Sequence, residues 1–188
     1  MSALSKSVVI EFCKLCDWAY EAWLNHRELF DNNPRATELQ NSFAGDALAR
    51  LSIISQEYSL LQIVKLHDRA VVSGKATLSL EYVMIYGAWS PAIKQKLETL
   101  EEKLNKFANQ LRDVRNKSLS HNDLATIVAG ANLGAFAQGE DITYFKILQE
   151  FVNTIHEEVV GGPWFFNDLV QNDVAAFLNL IPFAAPSA

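Results

Sequence analysis

The feature that most constrains this chain is a run of apolar residues spaced alternately three and four positions apart. The run comprises Leu97, Leu100, Leu104, Phe107, Leu111 and Val114. Such heptad spacing places one apolar stripe on a helix that packs against a neighbouring helix at a shallow angle. Ser90 is a good helix cap and Pro91 suits the first helical position. The sequence therefore predicts a long helix from Pro91 to about Leu119.

Apolar residues recur at helical intervals along most of the remaining chain, and the alternation typical of strands is hard to find. The fold class predicted is therefore all-α. Further helices are expected at residues 5–30, 45–68, 80–86, 142–160 and 173–181. The helix at 45–68 is apolar on more than one side, which predicts a central element packed by several neighbours.

Turn-forming residues separate these helices. Residues 31–37 and 72–79 are predicted loops, and residues 127–141 are predicted to be a loop or a weak helix. Gly161, Gly162 and Pro163 are expected to end the helix at 142–160. Ser79 is a predicted cap for the helix at 80–86. The apolar tail after residue 163 either returns to cover the core or meets another subunit. We expect it to return, because large exposed apolar patches are uncommon on monomers.

Composition limits the class of protein. The 188 residues, 49% of them hydrophobic, suffice for one domain with a substantial core, and we expect a single domain over 1–188. No apolar run reaches the roughly 18 residues of a membrane span, and no secretory signal is evident, so we expect a cytoplasmic protein. Cys13 and Cys16 form a lone CxxC inside a predicted helix, without the further ligands of a zinc site. We expect two reduced, buried thiols, and neither metal nor cofactor.

The charge distribution singles out one segment. The chain carries a net charge of −6, which argues against nucleic-acid binding through bulk electrostatics. Residues 91–123 carry +2, however, while the remainder carries −8. The long predicted helix and the residues that follow it are therefore the mildly basic part of an acidic protein.

The polar stretch after the apolar stripe contains Arg115 and His121, which allow two interpretations. In the first, they are the exit residues of a helix, because basic side chains interact favourably with the helix C-terminal dipole. In the second, they form a site for chemistry on phosphate. In an unbroken helix the two side chains would point about 120° apart. They converge only if the last turn unwinds or if a second chain contributes its own pair.

The second interpretation has a definite chemistry. Imidazole titrates near neutrality and moves protons, while guanidinium stays charged and binds phosphate oxygens with two hydrogen bonds. His121 would take the proton of a ribose 2′-hydroxyl or protonate the leaving oxygen. Arg115 would stabilise charge that develops on the phosphate. Asn116 and Asp123 would orient the imidazole or a ribose, and Lys117 adds positive charge for the substrate.

Two segments together resemble a known family. The stretch RNKSLSH, residues 115–121, resembles the HEPN superfamily motif, an Arg followed by a polar residue and, after four to six positions, by a His. The stretch VKLHDRAVVSGKATLSLEYV, residues 64–83, resembles a segment of abortive-infection, AbiU-like members. These similarities place the family-like core at about 45–160, with a C-terminal extension at 161–188.

The resemblance implies an antiparallel helical bundle with extra short helices, which forms a homodimer with the two motifs facing each other. It also implies metal-independent endoribonuclease activity in phage defence or toxin–antitoxin systems, with RNA as substrate and an antitoxin or other protein as partner. Arg115, Asn116 and His121 carry over from the motif, and Asp68 from the upstream segment. Other HEPN proteins bind without cutting, so a non-catalytic module for a protein, RNA or nucleotide is the alternative.

Overall fold

The computed structural model describes residues 4–41, 44–114 and 139–180, which are almost entirely helical. The helices are α1 (Lys6–His26), α2 (Ala36–Gln40), α3 (Gly45–Leu66), α4 (Leu80–Tyr86), α5 (Pro91–Val114), α6 (Glu140–Val159) and α7 (Val170–Leu180). Two short strands, β1 (Val71–Val72) and β2 (Lys75–Ala76), form an antiparallel hairpin. The all-α prediction is confirmed. Most of the predicted loop at 127–141 lies outside the described residues.

Serine caps begin three of the helices. The hydroxyl of Ser5 accepts a hydrogen bond from the Val8 amide at the start of α1. Ser79 does the same for the Tyr82 amide in α4, and Ser90 accepts from the amide of Ile93 in α5. Each hydroxyl satisfies an amide that the helix itself leaves unpaired. The predicted cap at Ser79 and the predicted start at Pro91 are thus confirmed.

The core lies where α1, α5 and α6 meet. The predicted stripe on α5 is buried from Leu97 to Leu111, and α6 is the helix that contacts α5 most extensively. Phe12 of α1 packs edge-on against Phe151 of α6, and Tyr20 packs in the same way against Phe145. Because numbers rise along α1 as they fall along α6, these two helices run antiparallel.

Helix α3 differs from its prediction. It contacts α1, α2 and α5, but only its C-terminal half is central, where Leu60, Ile63 and Val64 are buried. Ile53 and Ile54 in its N-terminal half are more than half exposed. The prediction of a central helix is therefore wrong for the first half, because no described element covers that face.

Two predicted loops contain regular structure. Within 72–79, Ser73 and Gly74 form the two-residue turn of the β1–β2 hairpin, and both have positive φ, 50° and 77°. Positive φ at both positions suits the right-handed twist of a hairpin. In the predicted stop at 31–37, α2 begins at Ala36, and α1 continues into one π-helical turn over Arg27–Asp31.

The described part of the tail, up to Leu180, returns to the core, as predicted. Gly161 and Gly162 adopt positive φ of 106° and 77°, which ends α6. The Asn167 amide then donates to a carboxylate oxygen of Asp17, at 2.7 Å, and its side chain donates to Glu21, at 2.6 Å. Both acceptors lie on α1, against which α7 also packs.

Cys13 and Cys16 are free thiols buried on the inner face of α1, which confirms the prediction for the CxxC pair. Burial raises the pKa of the Cys13 thiol to about 12 and that of Cys16 well above its usual value. Both sulfurs are therefore protonated and unreactive near neutral pH. Among the described residues, no helix is long and apolar enough to cross a membrane.

Candidate functional site

The predicted motif lies directly after the last described residue of α5. Arg115, Asn116, Lys117, His121 and Asp123 are outside the described residues. The structure therefore describes the helix that leads into the motif. Helix α5 carries the chain to Val114, one residue before the arginine.

The buried stripe of α5 determines which helix lies beside the C-terminal end of α5. Lys96 of α5 is 3.5 Å from the Glu150 carboxylate of α6. Farther along α5, the Phe107 ring stacks on Tyr144, with ring centroids 4.8 Å apart. The two helices thus run antiparallel, and the C-terminal end of α5 lies beside the N-terminal end of α6. Residues 115–138, which contain the motif, join these neighbouring ends.

The C-terminal part of α1 reaches the same end of the bundle. The Trp23 indole N–H donates to an Asp141 carboxylate oxygen at 2.9 Å. The Trp23 ring also packs on Phe145, with centroids 4.6 Å apart, and the Arg27 guanidinium carbon lies 5.0 Å from the centroid of the Trp23 ring. Helix α6, which lies beside the end of α5, is therefore itself held by α1.

A buried polar network connects α5 to α3 and α6. One ring nitrogen of His67, Nδ1, is 2.8 Å from the Asn105 side-chain oxygen, and the other, Nε2, is 2.9 Å from the Tyr144 hydroxyl. His67 and Tyr144 are both buried. A neutral imidazole satisfies both contacts if Nδ1 donates to Asn105 and Nε2 accepts from Tyr144. The network fixes three helices against each other about three turns before Arg115.

Asp68 is the member of the predicted site set that the structure describes. It follows His67 at the end of α3, where it is half-buried and its amide donates to the Lys65 carbonyl at 3.2 Å. The neighbouring histidine points to Asn105 of α5. Asp68 is thus tied through the backbone to the network that holds the motif helix.

Glu101 extends the network on α5. Burial raises the pKa of its carboxyl, and the nearby carboxylates of Glu81 and Glu98 add to that rise, whereas a hydrogen bond from Asn105 lowers it. Asn105 therefore contacts both Glu101 and His67. Sequence patterns predicted neither the contact of Asn105 with His67 nor that of Tyr144 with His67, because these partners lie 38 and 77 positions apart.

Among the described residues, no group of three or more His, Cys, Asp or Glu side chains is arranged to hold a metal ion. His26 is buried in α1, and His156 contacts the Gly162 carbonyl through Nδ1 at 2.7 Å. Both belong to helix ends and their turns.

A comparison with protein families finds a match over most of the chain. The family model described as AbiU2, a HEPN family, matches residues 5–178. The match covers nearly the whole chain, including α1, which precedes the segments that carry the resemblance. No curated protein and no solved structure matches the chain.

Proposed function

Because the chain belongs to the HEPN AbiU2 family, we propose that it is a metal-independent endoribonuclease with Arg115 and His121 as its catalytic residues. The family match over residues 5–178 carries this proposal. The Arg-to-His spacing of residues 115–121 supports it, and Arg115 comes directly after Val114, the last residue of α5. An anchored helix end suits catalysis, because small displacements of catalytic groups are costly.

In this proposal the residues have separate roles. His121 moves the proton of the attacking ribose hydroxyl or of the leaving oxygen, and Arg115 stabilises charge on the phosphate. Asn116, Asp123 and Asp68 orient these groups. Lys117 contributes positive charge toward the RNA backbone.

We also propose that the protein acts as a homodimer, so that the motifs of two chains form one composite site. An exposed apolar face supports self-association: Trp18 of α1 and Leu51, Ile54 and Tyr58 of α3 are each at least 40% exposed. Exposed apolar patches of this kind commonly mark interaction surfaces. Sedimentation velocity should detect a particle of two chains, and Leu51→Lys with Ile54→Lys should shift it to one chain if this face is used.

The biological setting is proposed from the same family membership. It is phage defence or a toxin–antitoxin system in the cytoplasm, with an antitoxin or other protein as a partner. We further propose that residues 1–188 form one domain.

The central test is cleavage of RNA by the purified protein in the presence of EDTA. We expect structured or transfer RNA to be fragmented without metal. General acid–base catalysis contributes about 10²–10⁴-fold, so His121→Ala should slow cleavage by at least about a hundredfold. Asn122→Ala, next to the catalytic histidine, is the matched control and should cleave at the wild-type rate.

A non-catalytic binding module is the second candidate, and the net charge of −6 favours it over a nuclease that approaches RNA through bulk charge. Intact RNA at high protein concentration would reject the nuclease. A complex with RNA, a nucleotide or a protein under those conditions would support the module. Equal cleavage by the wild type and His121→Ala would reject the catalytic assignment.

A further inference from the structure

The segment at residues 163–167 lies across α6 and α1 and is bound largely through its backbone. The Trp164 amide donates to the Asn153 side-chain oxygen at 3.0 Å, and the Trp164 carbonyl accepts from the Gln149 side-chain amide. The oxygen of Gln149 accepts in turn from the Phe166 amide at 2.8 Å. Two carboxamides of α6 thus bind three backbone groups of a segment that forms neither helix nor turn.

Alternate side chains of this segment face the protein. Trp164 and Phe166 are half-buried, whereas Phe165 between them is 76% exposed. The Phe166 ring stacks on Tyr20 of α1, with centroids 5.1 Å apart, and the Trp164 ring packs edge-on against His156 of α6. The arrangement resembles that of an extended peptide on a protein surface, where backbone hydrogen bonds contribute affinity and alternate side chains give specificity.

Two carboxylates of α1, one turn apart, meet the last residue of the segment. Asp17 accepts from the backbone amide of Asn167, and Glu21 accepts from its side-chain amide. Burial raises the pKa of the Asp17 carboxyl, the Asn167 amide lowers it, and the charge of Glu21 adds to the rise. Within the described residues neither carboxylate makes an ion pair. Two carboxylates therefore surround one neutral side chain.

Two glycines connect the segment to the end of α6. Gly161 and Gly162 both have positive φ, a conformation that glycine adopts without strain. Glycine also adopts negative φ readily. Rotation at these two residues would therefore move the segment away from its contacts while α6 stays intact.

We propose that α1 and α6 form a peptide-binding groove whose ligand is an extended segment of a partner protein, with an aromatic residue followed directly by Lys or Arg. Residues 163–167 occupy this groove when the partner is absent. The partner's backbone takes the hydrogen bonds of the two carboxamides, and its ring replaces Phe166 on Tyr20. Its basic side chain forms charge-assisted hydrogen bonds with Glu21 and Asp17, which are stronger than those of a neutral amide.

The chain's own segment sets the affinity that a partner must exceed. A short linker holds that segment at an effective concentration on the order of millimolar. A charged hydrogen bond in place of a neutral one strengthens binding by about five- to tenfold. Competition is therefore measured best after the segment has been weakened.

Two labelled peptides test the groove. Both have the sequence of residues 162–168, and in one of them lysine replaces Asn167. Binding is measured by fluorescence anisotropy with the full chain carrying Phe166→Ala and Asn167→Ala, which weakens the segment and leaves the groove unchanged. We expect the lysine peptide to bind this variant about five- to tenfold more tightly than the asparagine peptide. It should bind the wild type at least about tenfold more weakly than it binds the variant.

Glu21→Gln and Glu11→Gln, each added to that variant, form a matched pair. Both remove one carboxylate from α1, but Glu11 is exposed and already lies 2.8 Å from the Lys14 ammonium. We expect Glu21→Gln to reduce the preference for the lysine peptide to below about twofold and Glu11→Gln to leave it unchanged. Equal reductions would show that only the general charge of α1 matters and would overturn the proposal.

Asn167→Lys in the otherwise unchanged chain tests the charge contact without a peptide. We expect a higher temperature of thermal unfolding than in the wild type, together with weaker binding of the lysine peptide. Leu169→Lys is the control, because it adds the same charge two residues later, where the side chain is 62% exposed. An equal or larger rise in Leu169→Lys would contradict the role of Glu21 and Asp17.

The remaining outcomes are decisive as well. Equal affinities of the two peptides would overturn the preference for a basic partner. Failure of both peptides to bind the folded variant at millimolar concentration would show that the groove holds only the chain's own segment. If Phe166→Ala with Asn167→Ala does not fold, Asn167→Ala alone takes its place. The groove contains none of the proposed catalytic residues and these assays contain no RNA, so the nuclease stands or falls separately.

Discussion

Both halves of α3 carry β-branched apolar residues, but these residues are exposed in the first half and buried in the second. Ile53 and Ile54 are 51% and 59% exposed, whereas Ile63 and Val64, ten residues later, are 2% and 1% exposed. The helix is continuous through both halves. The same β-branched residues on one helix thus form a surface at one end and a core at the other.

The neighbours account for the difference. The C-terminal half faces the core cluster, and the chain continues from it into His67, which is hydrogen-bonded to α5 and α6. In the N-terminal half no described element covers the face that carries Ile53 and Ile54. Burial therefore follows from what packs against a residue, and a count of apolar residues along a helix does not predict it.

The largest expected effect concerns the buried half. Ile63→Ala removes side-chain atoms from a packed site and leaves a cavity, so we expect the free energy of unfolding to fall by about 2–5 kcal/mol. Urea denaturation monitored by circular dichroism measures it. The change in slope with urea concentration should be small, because the fold is retained.

Ile53→Ala is the matched variant in the exposed half. It makes the same chemical change on the same helix, and we expect it to alter the free energy of unfolding by no more than about 0.5 kcal/mol. Equal losses for Ile53→Ala and Ile63→Ala would show that the exposed half is covered in the folded protein in solution.

A second pair of variants compares a buried hydroxyl group, that of Tyr144, with a surface hydroxyl group, that of Tyr58. Tyr144→Phe removes the buried hydroxyl that contacts Nε2 of His67 and leaves that nitrogen without its partner. We expect a loss of about 1–3 kcal/mol in the free energy of unfolding, because an unsatisfied buried polar group keeps its desolvation cost.

Tyr58→Phe is the surface counterpart. The Tyr58 hydroxyl accepts from the Trp18 indole N–H at 2.8 Å, but Tyr58 is 42% exposed, so water can replace the lost contact. We expect a change below about 0.5 kcal/mol. A larger loss for Tyr58→Phe than for Tyr144→Phe would contradict the assignment of the buried network as the stronger contact.

The smallest expected effect is a pH dependence of the free energy of unfolding that comes from His26. This buried histidine lacks the full hydrogen bonding of His67. In His26, Nδ1 has no hydrogen-bond partner among the described residues. Burial lowers the pKa of His26 below 6.5, and the nearby Asp31 carboxylate opposes that shift. The unfolded chain therefore binds this proton at a higher pH than the folded protein does.

The consequence for stability follows from linkage. The free energy of unfolding should fall as the pH drops from about 6.5 toward the lower folded-state pKa. His26→Gln should remove this contribution, so we expect a smaller loss of stability than in the wild type between pH 7.5 and 5.5. The carboxyls with raised pKa, those of Asp17 and Glu101, affect both proteins alike and cancel in the difference. Parallel pH profiles would reject the role of His26.

Local signals predicted the elements well. The bounds of α4 and the start of α5 match their predictions, because Ser79 and the Ser90–Pro91 pair act on the nearest turn. The spacing of the apolar residues in α5 also predicted which face of that helix is buried. The hairpin at Ser73 and Gly74 was missed, since its strands have two residues each and show no alternation.

The candidate site was predictable only as a motif. Spacing and family resemblance predicted Arg115 and His121 as site residues. The family match confirms the resemblance but does not test these two residues. The supporting network of His67, Asn105 and Tyr144 has no local signal, because its partners lie 38 and 77 positions apart. The pairing of Lys96 with Glu150 could not be predicted from charge counts either.

By itself, the sequence determined the helical class, the serine caps, the apolar stripe of α5 and the position of a mildly basic segment at residues 91–123. These depend on contacts within one or two turns, so spacing is sufficient to specify them. Only the tertiary structure decided which half of α3 is buried, which lysines are paired and which histidine is fully hydrogen-bonded. Those properties depend on side chains from other helices, and the direction and register of helix packing bring such side chains together.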